Sequence, residues 1–230
     1  MDEITDLDFH EVQKHILREL GYRNEKTFSS IQGNWDSSKL SFHLRQLRDK
    51  GLIEKNDNKY RVTPKGKGLL ADIKFNRYRA PINLLNLIVF SPEGEVYMTY
   101  FQESMDPLAE FYRPIVSRIL KGEVLKDKAE RLFEEEFGHR PEEVKRAGTL
   151  ENILWFKEDT SQHYVLHNMY IESEETGADF YSLENEDIDI VPGMRQFMKH
   201  IRDNKEQLPF MGRWDVIEKE KFELKELDIE

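Results

Sequence analysis

A chain of 230 residues can bury two modest cores, and the absence of cysteine excludes disulfides, thiolate zinc sites and a cysteine nucleophile. Its 34 basic and 45 acidic side chains leave a formal charge of -11, which as a whole repels nucleic acid. The start MDEITDLDF lacks an apolar core for export and no run approaches the roughly 18 apolar residues that cross a bilayer, so a cytoplasmic protein without membrane contact is expected. The charge is unevenly spread. Residues 36 to 79 hold 12 Lys and Arg against 5 Asp and Glu, whereas residues 80 to 230 hold 18 against 33, a basic patch on an acidic body.

Phe9, Val12, Ile16, Leu17 and Leu20 recur at helical spacing, and Gly21 stands where a left-handed residue could end that helix. TFSSIQG predicts a short second helix. Asp36 or Ser37 is placed to cap a third, in which Leu40, Leu44 and Leu47 form the inward stripe. Ser38, Lys39, Ser41, Phe42 and Arg45 are left largely outward, and His43 is expected to pack at the stripe's edge. LIEK and KYRVTP, joined by NDN, read as a hairpin, and KGKGLLADIKF resumes a helix after Pro64.

This order of helices and wing resembles the winged helix-turn-helix regulators, and LSFHLRQLRDKGLIEKNDNKYRVTPKG is similar to the recognition helix and wing of the ArsR and MarR-like families. The resemblance implies that the third helix enters the major groove of double-stranded DNA while wing cations touch phosphate. Ser37, Ser38, Lys39, Ser41, Phe42 and Arg45 would then face bases or backbone, and Lys55, Lys59 and Arg61 would sit on the wing. Winged helices also serve as protein adaptors. The positive surplus over the elements that would meet a duplex favours DNA. Operator symmetry leads to the expectation of a homodimer.

KFNRYRAP carries charge and a proline without apolar pattern, which places a domain boundary near residue 78 and gives domains of 1–78 and 79–230. INLLNLIVF then suits a strand buried on both faces, SPEG turns the chain, and EVYMTYFQ returns as a second strand. A loop from Glu103 to Ser117 leads to a helix beginning near Leu125. LENILWFK and HYVLHNMYIES read as strands, and PGMRQFMKHIRDN as a helix with Met194, Phe197, Met198 and Ile201 on one side. The last residues, EKEKFELKELDIE, read as a charged tail.

Within ERLFEEEFGH, a helix turning about 100° per residue puts Leu125, Ala129 and Leu132 in one narrow arc with Phe133 at its edge. Glu134 points away from that arc, Glu135 lies toward one flank, and Glu136 falls inside it. A carboxylate directed into an apolar stripe is expected to find a cation or a metal.

The stretch resembles the Nudix box, G-x5-E-x7-R-E-U-x-E-E-x-G-U with U apolar: Glu123, Arg131, Phe133, Glu135, Glu136 and Gly138 fall in sequence. Three positions depart from it, with Ser117 for the first glycine, His139 for the last apolar residue and Leu132 for the glutamate after the arginine. The likeness implies an α+β chain in which the winged helix-turn-helix is followed by an α/β/α Nudix-like sandwich. It further implies a site for a small phosphorylated or nucleotide ligand at Glu123, Arg131, Glu135 and Glu136, with Mg²⁺ held by Glu123, Glu135 and Glu136. Leu132 supplies neither ligand nor base, so hydrolysis would need Glu135 and Glu136 joined by Glu184 or Glu186 from LENEDID.

Other signals are weaker. His163 and His167, four apart in an extended run, stand roughly 13 Å apart, too far for one metal. Trp155, Phe156, Tyr164 and Tyr170 suit a core more than a ligand platform. No Walker loop, dinucleotide fingerprint or Ser-His-Asp pattern is present. The expectation is a transcriptional regulator with a non-hydrolytic effector domain. The alternatives are an active Mg²⁺-dependent pyrophosphohydrolase with an accessory winged helix, and a protein-interaction scaffold.

Overall fold

The computed structural model describes residues 9–75, 81–100, 105–156 and 161–229. The sequence-predicted boundary near residue 78 lies outside them. Two compact units are formed: one is residues 1–80 joined by the segments Gln102–Ala109 and Phe156–Gln162, and the other is the remainder.

The first unit contains α1 (Glu11–Leu20), β1 (Lys26–Thr27), α2 (Phe28–Gln32), α3 (Ser37–Asp49), β2 (Ile53–Asn56), β3 (Lys59–Val62) and α4 (Pro64–Phe75). The periodic residues do what their spacing requires: Val12, Ile16, Leu17, Leu20, Ile31, Leu40, Leu47 and Leu52 are fully buried in one core. Asp36 rather than Ser37 caps α3, its carboxylate accepting from the Ser38 and Lys39 amides at 2.9 and 3.1 Å. The wing is β2 against β3, antiparallel, with β1 added to the far side of β3. Gly66 allows α4 to lie on this wing, because a Cβ there would stand 2.1 Å from the Leu52 carbonyl oxygen. The Tyr22 hydroxyl donates to Gln162 Oε1 at 3.0 Å, and Gln162 Nε2 donates to the Lys67 carbonyl at 2.7 Å.

The second unit is built on β4 (Ile82–Phe90), β5 (Val96–Tyr97), β6 (Thr99–Tyr100), β7 (Tyr112–Arg113), β8 (Ile115–Arg118), α5 (Leu125–Phe137), β9 (Lys145–Phe156), β10 (Ser161–Glu172), β11 (Phe180–Tyr181), α6 (Met194–Asp203), β12 (Phe210–Glu218) and β13 (Phe222–Ile229), with Phe156 of β9 and Ser161 and Gln162 of β10 counted in the first. Its sheet runs β11-β5-β4-β10-β9-β12-β13, with β8 also on β4. The continuous apolar run of β4 is accounted for by its parallel partner β10, with Asn86 opposite Asn168, two buried amides joined at 2.8 Å. Odd-numbered Leu85, Leu87 and Val89 meet Ala129 and Phe133 of α5, together with Met169, Ile171 and Phe180. Asn86, Ile88 and Phe90 alternate to the other side, where Lys205, just beyond α6, stands over the Phe90 ring.

Three expectations are corrected. The long second strand from EVYMTYFQ is interrupted, because the Met98 amide donates to the Asp179 carbonyl and Thr99–Tyr100 turns to pair with β7 instead of β4. The expected loop between Glu103 and Ser117 contains β7 and the start of β8, the latter antiparallel to Leu84–Leu87. The charged tail is the edge strand β13, paired with β12; only Phe222 on it is buried, as suffices for a strand with one neighbour. Among the described residues, no helix is long and apolar enough to cross a membrane.

Candidate functional site

On the first unit, the outward face of α3 holds Ser37, Ser38, Lys39, Ser41, Phe42 and Arg45, all exposed. The two leading serines are occupied with the helix start. Ser37 Oγ accepts from Gln32 Nε2 at 2.8 Å, and the Ser38 hydroxyl donates to the Asp36 carboxylate, the first cause of that carboxylate's lowered pKa. Lys39 stands over the Trp35 ring at 5.4 Å and Arg45 over the Phe42 ring at 5.9 Å. Arg48, exposed one turn after Arg45, extends this cationic face; its spacing of three from Arg45 was the available signal. His43 is buried as expected, stacked on His10 at 4.5 Å, and burial pushes its pKa down. On the wing, Lys55 and Lys59 are exposed, whereas Arg61 is committed to Glu54 at 2.6 Å and reaches Glu25 at 3.6 Å.

On the second unit, α5 presents Lys128, Ala129 and Phe133 inward, with Leu125, Leu132 and Phe137 half-buried against the same core. Gly138 ends it in the left-handed region at φ 79°, its amide donating to the Glu134 carbonyl. Glu136 departs from expectation. It is exposed in the last turn of α5, at the rim of the core that its neighbour Phe137 packs against. Its carboxylate nonetheless accepts from the Tyr97 phenol of β5, and burial together with this bond pushes the Tyr97 pKa up. The tyrosine was not anticipated; an aromatic on the α5 side of the neighbouring strand was its only mark.

Glu123 precedes α5 with both oxygens engaged. They accept from the Leu120 amide at 2.7 Å, from Lys128 Nζ at 3.0 and 3.2 Å and from Arg131 Nη2 at 2.8 Å. The Leu120 amide, then Lys128 and Arg131, hold its carboxyl at about 2. Lys128, only 6% exposed, is the cation that sequence reasoning missed, although it falls one turn before Arg131 on the inward side. Glu135 is open to water and lies 3.8 Å from Arg131. Glu184 accepts from Lys199 and Arg202 of α6, and Glu186 is exposed on the same loop.

The donor set is therefore smaller than the one the box implies for Mg²⁺. Glu123 is taken up by the Leu120 amide and its two cations, one oxygen of Glu136 accepts from a phenol, Leu132 brings no oxygen, and Glu135 is exposed. Among the described residues no group of three or more His, Asp or Glu is placed to hold a metal ion. Of His163 and His167, the second meets Asn83 Oδ1 through Nε2 at 3.2 Å. Phe156, Tyr164 and Tyr170 are core, and Trp155 donates to the buried Asp215 at 3.2 Å.

Residues 9–79 match the family model described as winged helix-turn-helix. No curated protein matches the chain. Among solved structures, the chain is similar to the mutator MutT protein from Bacillus halodurans, with a TM-score of 0.51 and 13% identity over 65% of this chain and 97% of that one. The MutT protein from Methanosarcina mazei Go1 gives 0.40 and 17% over 57% and 99%, and a Nudix hydrolase from Nitrosomonas europaea gives 0.36 and 15% over 62% and 82%. At these identities the likeness concerns the fold. The chain thus joins a winged helix-turn-helix module to a Nudix-like sheet domain.

Proposed function

We propose that this protein is a DNA-binding transcriptional regulator whose Nudix-like domain senses a small phosphorylated or nucleotide ligand without efficient hydrolysis. The observation that carries the reading is the state of the acidic box. Its first glutamate is bonded to Lys128 and Arg131, and its place for a further glutamate is Leu132, packed against the core of the domain. A phosphoryl-transfer site needs carboxylates to hold a cation and a base to activate water; Glu123 is spent on structure, and Leu132 supplies neither ligand nor base. The exposed cations of α3 and the wing support DNA as the partner of the first unit.

Regulation would act by linkage: a ligand preferring one of two states of the chain changes DNA affinity by that preference. A thermal-shift screen of nucleotides and nucleotide sugars, with and without Mg²⁺, tests the sensing half, since a specific binder stabilises whether or not it is cleaved. Binding without turnover is expected. Mg²⁺-dependent release of phosphate products, abolished by Glu136→Gln, would establish the hydrolase instead.

A further inference from the structure

Phe42 stands apart on the first unit. It is 47% exposed, and no other large hydrophobic of that unit is as open to water among the described residues. The chain gains nothing in solubility from a phenyl ring at that position, and leaving it half wet forfeits about half of its burial energy. Its setting is polar: Ser38 and Ser41 on one side, and Arg45 on the other with its guanidinium 5.9 Å from the ring. The ring is aimed by His43, whose edge it meets at 5.2 Å and 76°, and His43 is fixed in turn by its stack on His10.

A protein-docking surface would surround such a ring with further apolar groups, and Leu40, Leu44 and Leu47 are all turned inward instead. What the setting fits is an isolated apolar spot on a polyanionic surface. In the major groove that spot is the 5-methyl group of thymine, the one apolar feature among the base edges. We propose that Phe42 is a specificity-determining residue that reads a thymine methyl group, an inference resting on the DNA-binding reading of this helix. Its place in the second turn of α3 lies within the part of a recognition helix that reaches base edges.

The test uses the full chain. Duplexes are selected from a randomised pool, and in the enriched duplex each thymine is replaced singly by deoxyuridine, which removes only the methyl group. For the wild type, at least one replacement is expected to weaken binding about fourfold, the worth of one buried methyl. Phe42→Ala should lose a similar factor on the thymine duplex and nothing further on the deoxyuridine duplex, with an unchanged thermal midpoint; Phe42→Leu should keep part of the discrimination. Deoxyuridine effects that are absent, or equal in wild type and Phe42→Ala, overturn this inference and leave DNA binding standing. A pool that does not enrich at all overturns both.

Discussion

The Tyr97 phenol donates to the Glu136 carboxylate and so ties β5 to the acidic run in the last turn of α5. A phenol buried beside a carboxylate stays protonated above its ordinary value of 10.0, burial being the larger cause. In the unfolded chain it ionises near that ordinary value. Native protein therefore holds more protons above about pH 10, and stability falls as pH rises from there. Tyr97→Phe is expected to cost about 1 kcal/mol at neutral pH, as for a typical hydrogen bond, and to flatten the alkaline decline. Urea unfolding at pH 7 and across pH 9 to 11 measures both.

Glu123 and Lys128 give the opposite sign. The Leu120 amide and the two cations hold the Glu123 carboxyl at about 2, against 4.5 in the unfolded chain. The stability it contributes is present above 4.5 and is lost as pH falls toward 2. Glu123→Gln should make acid unfolding shallower across that window. Because Lys128 is buried, Glu123→Gln also leaves an ammonium without its counter-charge. The double variant Glu123→Gln, Lys128→Met is expected to be more stable than the single one in thermal unfolding at pH 7. Equal stabilities would mean that Lys128 finds water once its partner is gone.

These two pairs show which parts of the molecule could be read from the chain. The helices of the winged helix were legible nearly to the residue, since they are local and caps are written beside the stripes they bound, Asp36 at the start of α3 and Gly21 at the end of α1. The inward line of α6 was legible for the same reason. Short strands such as β7 and β8 were not, because their existence depends on distant partners, β6 for the one and β4 for the other, rather than on their own pattern. The box could be located, but what became of its carboxylates could not. Tyr97 reaches Glu136 from 39 residues away, and the inward turn of Lys128 overrides the usual exposure of lysine.

Gly66 marks a packing limit in the first unit. An added Cβ would meet the Leu52 carbonyl at 2.1 Å and Val62 Cγ1 at 2.6 Å, and the backbone oxygen is fixed by the Thr63 amide that donates to it. Gly66→Ala improves helix propensity on an isolated α4 yet is expected to destabilise the folded chain by about 1–3 kcal/mol, the range for overpacked sites. Gly51→Ala meets no atom within 4 Å and strains only its φ of 70°. The denaturant midpoints of the two variants separate crowding from backbone strain: Gly66→Ala should be the lower, and the reverse order would show that α4 can slide away from the wing.

The wing separates charge that is available to DNA from charge already used. Lys55 and Lys59 are exposed, whereas the Arg61 guanidinium is held by Glu54 at 2.6 Å and approached by Glu25 at 3.6 Å. Each phosphate contact contributes about 0.9 to the slope of log affinity against log salt on duplex DNA. Lys55→Ala and Lys59→Ala are each expected to lower that slope by about 0.9, and Arg61→Ala to leave it near the wild-type value. Arg61→Ala should instead loosen the wing, which its two carboxylate partners brace across β3. Fluorescence anisotropy at several salt concentrations reads the slopes. A drop in slope for Arg61→Ala equal to that of the lysines would mean that the duplex wins the guanidinium from Glu54, leaving the freed carboxylate to face the phosphates and oppose binding.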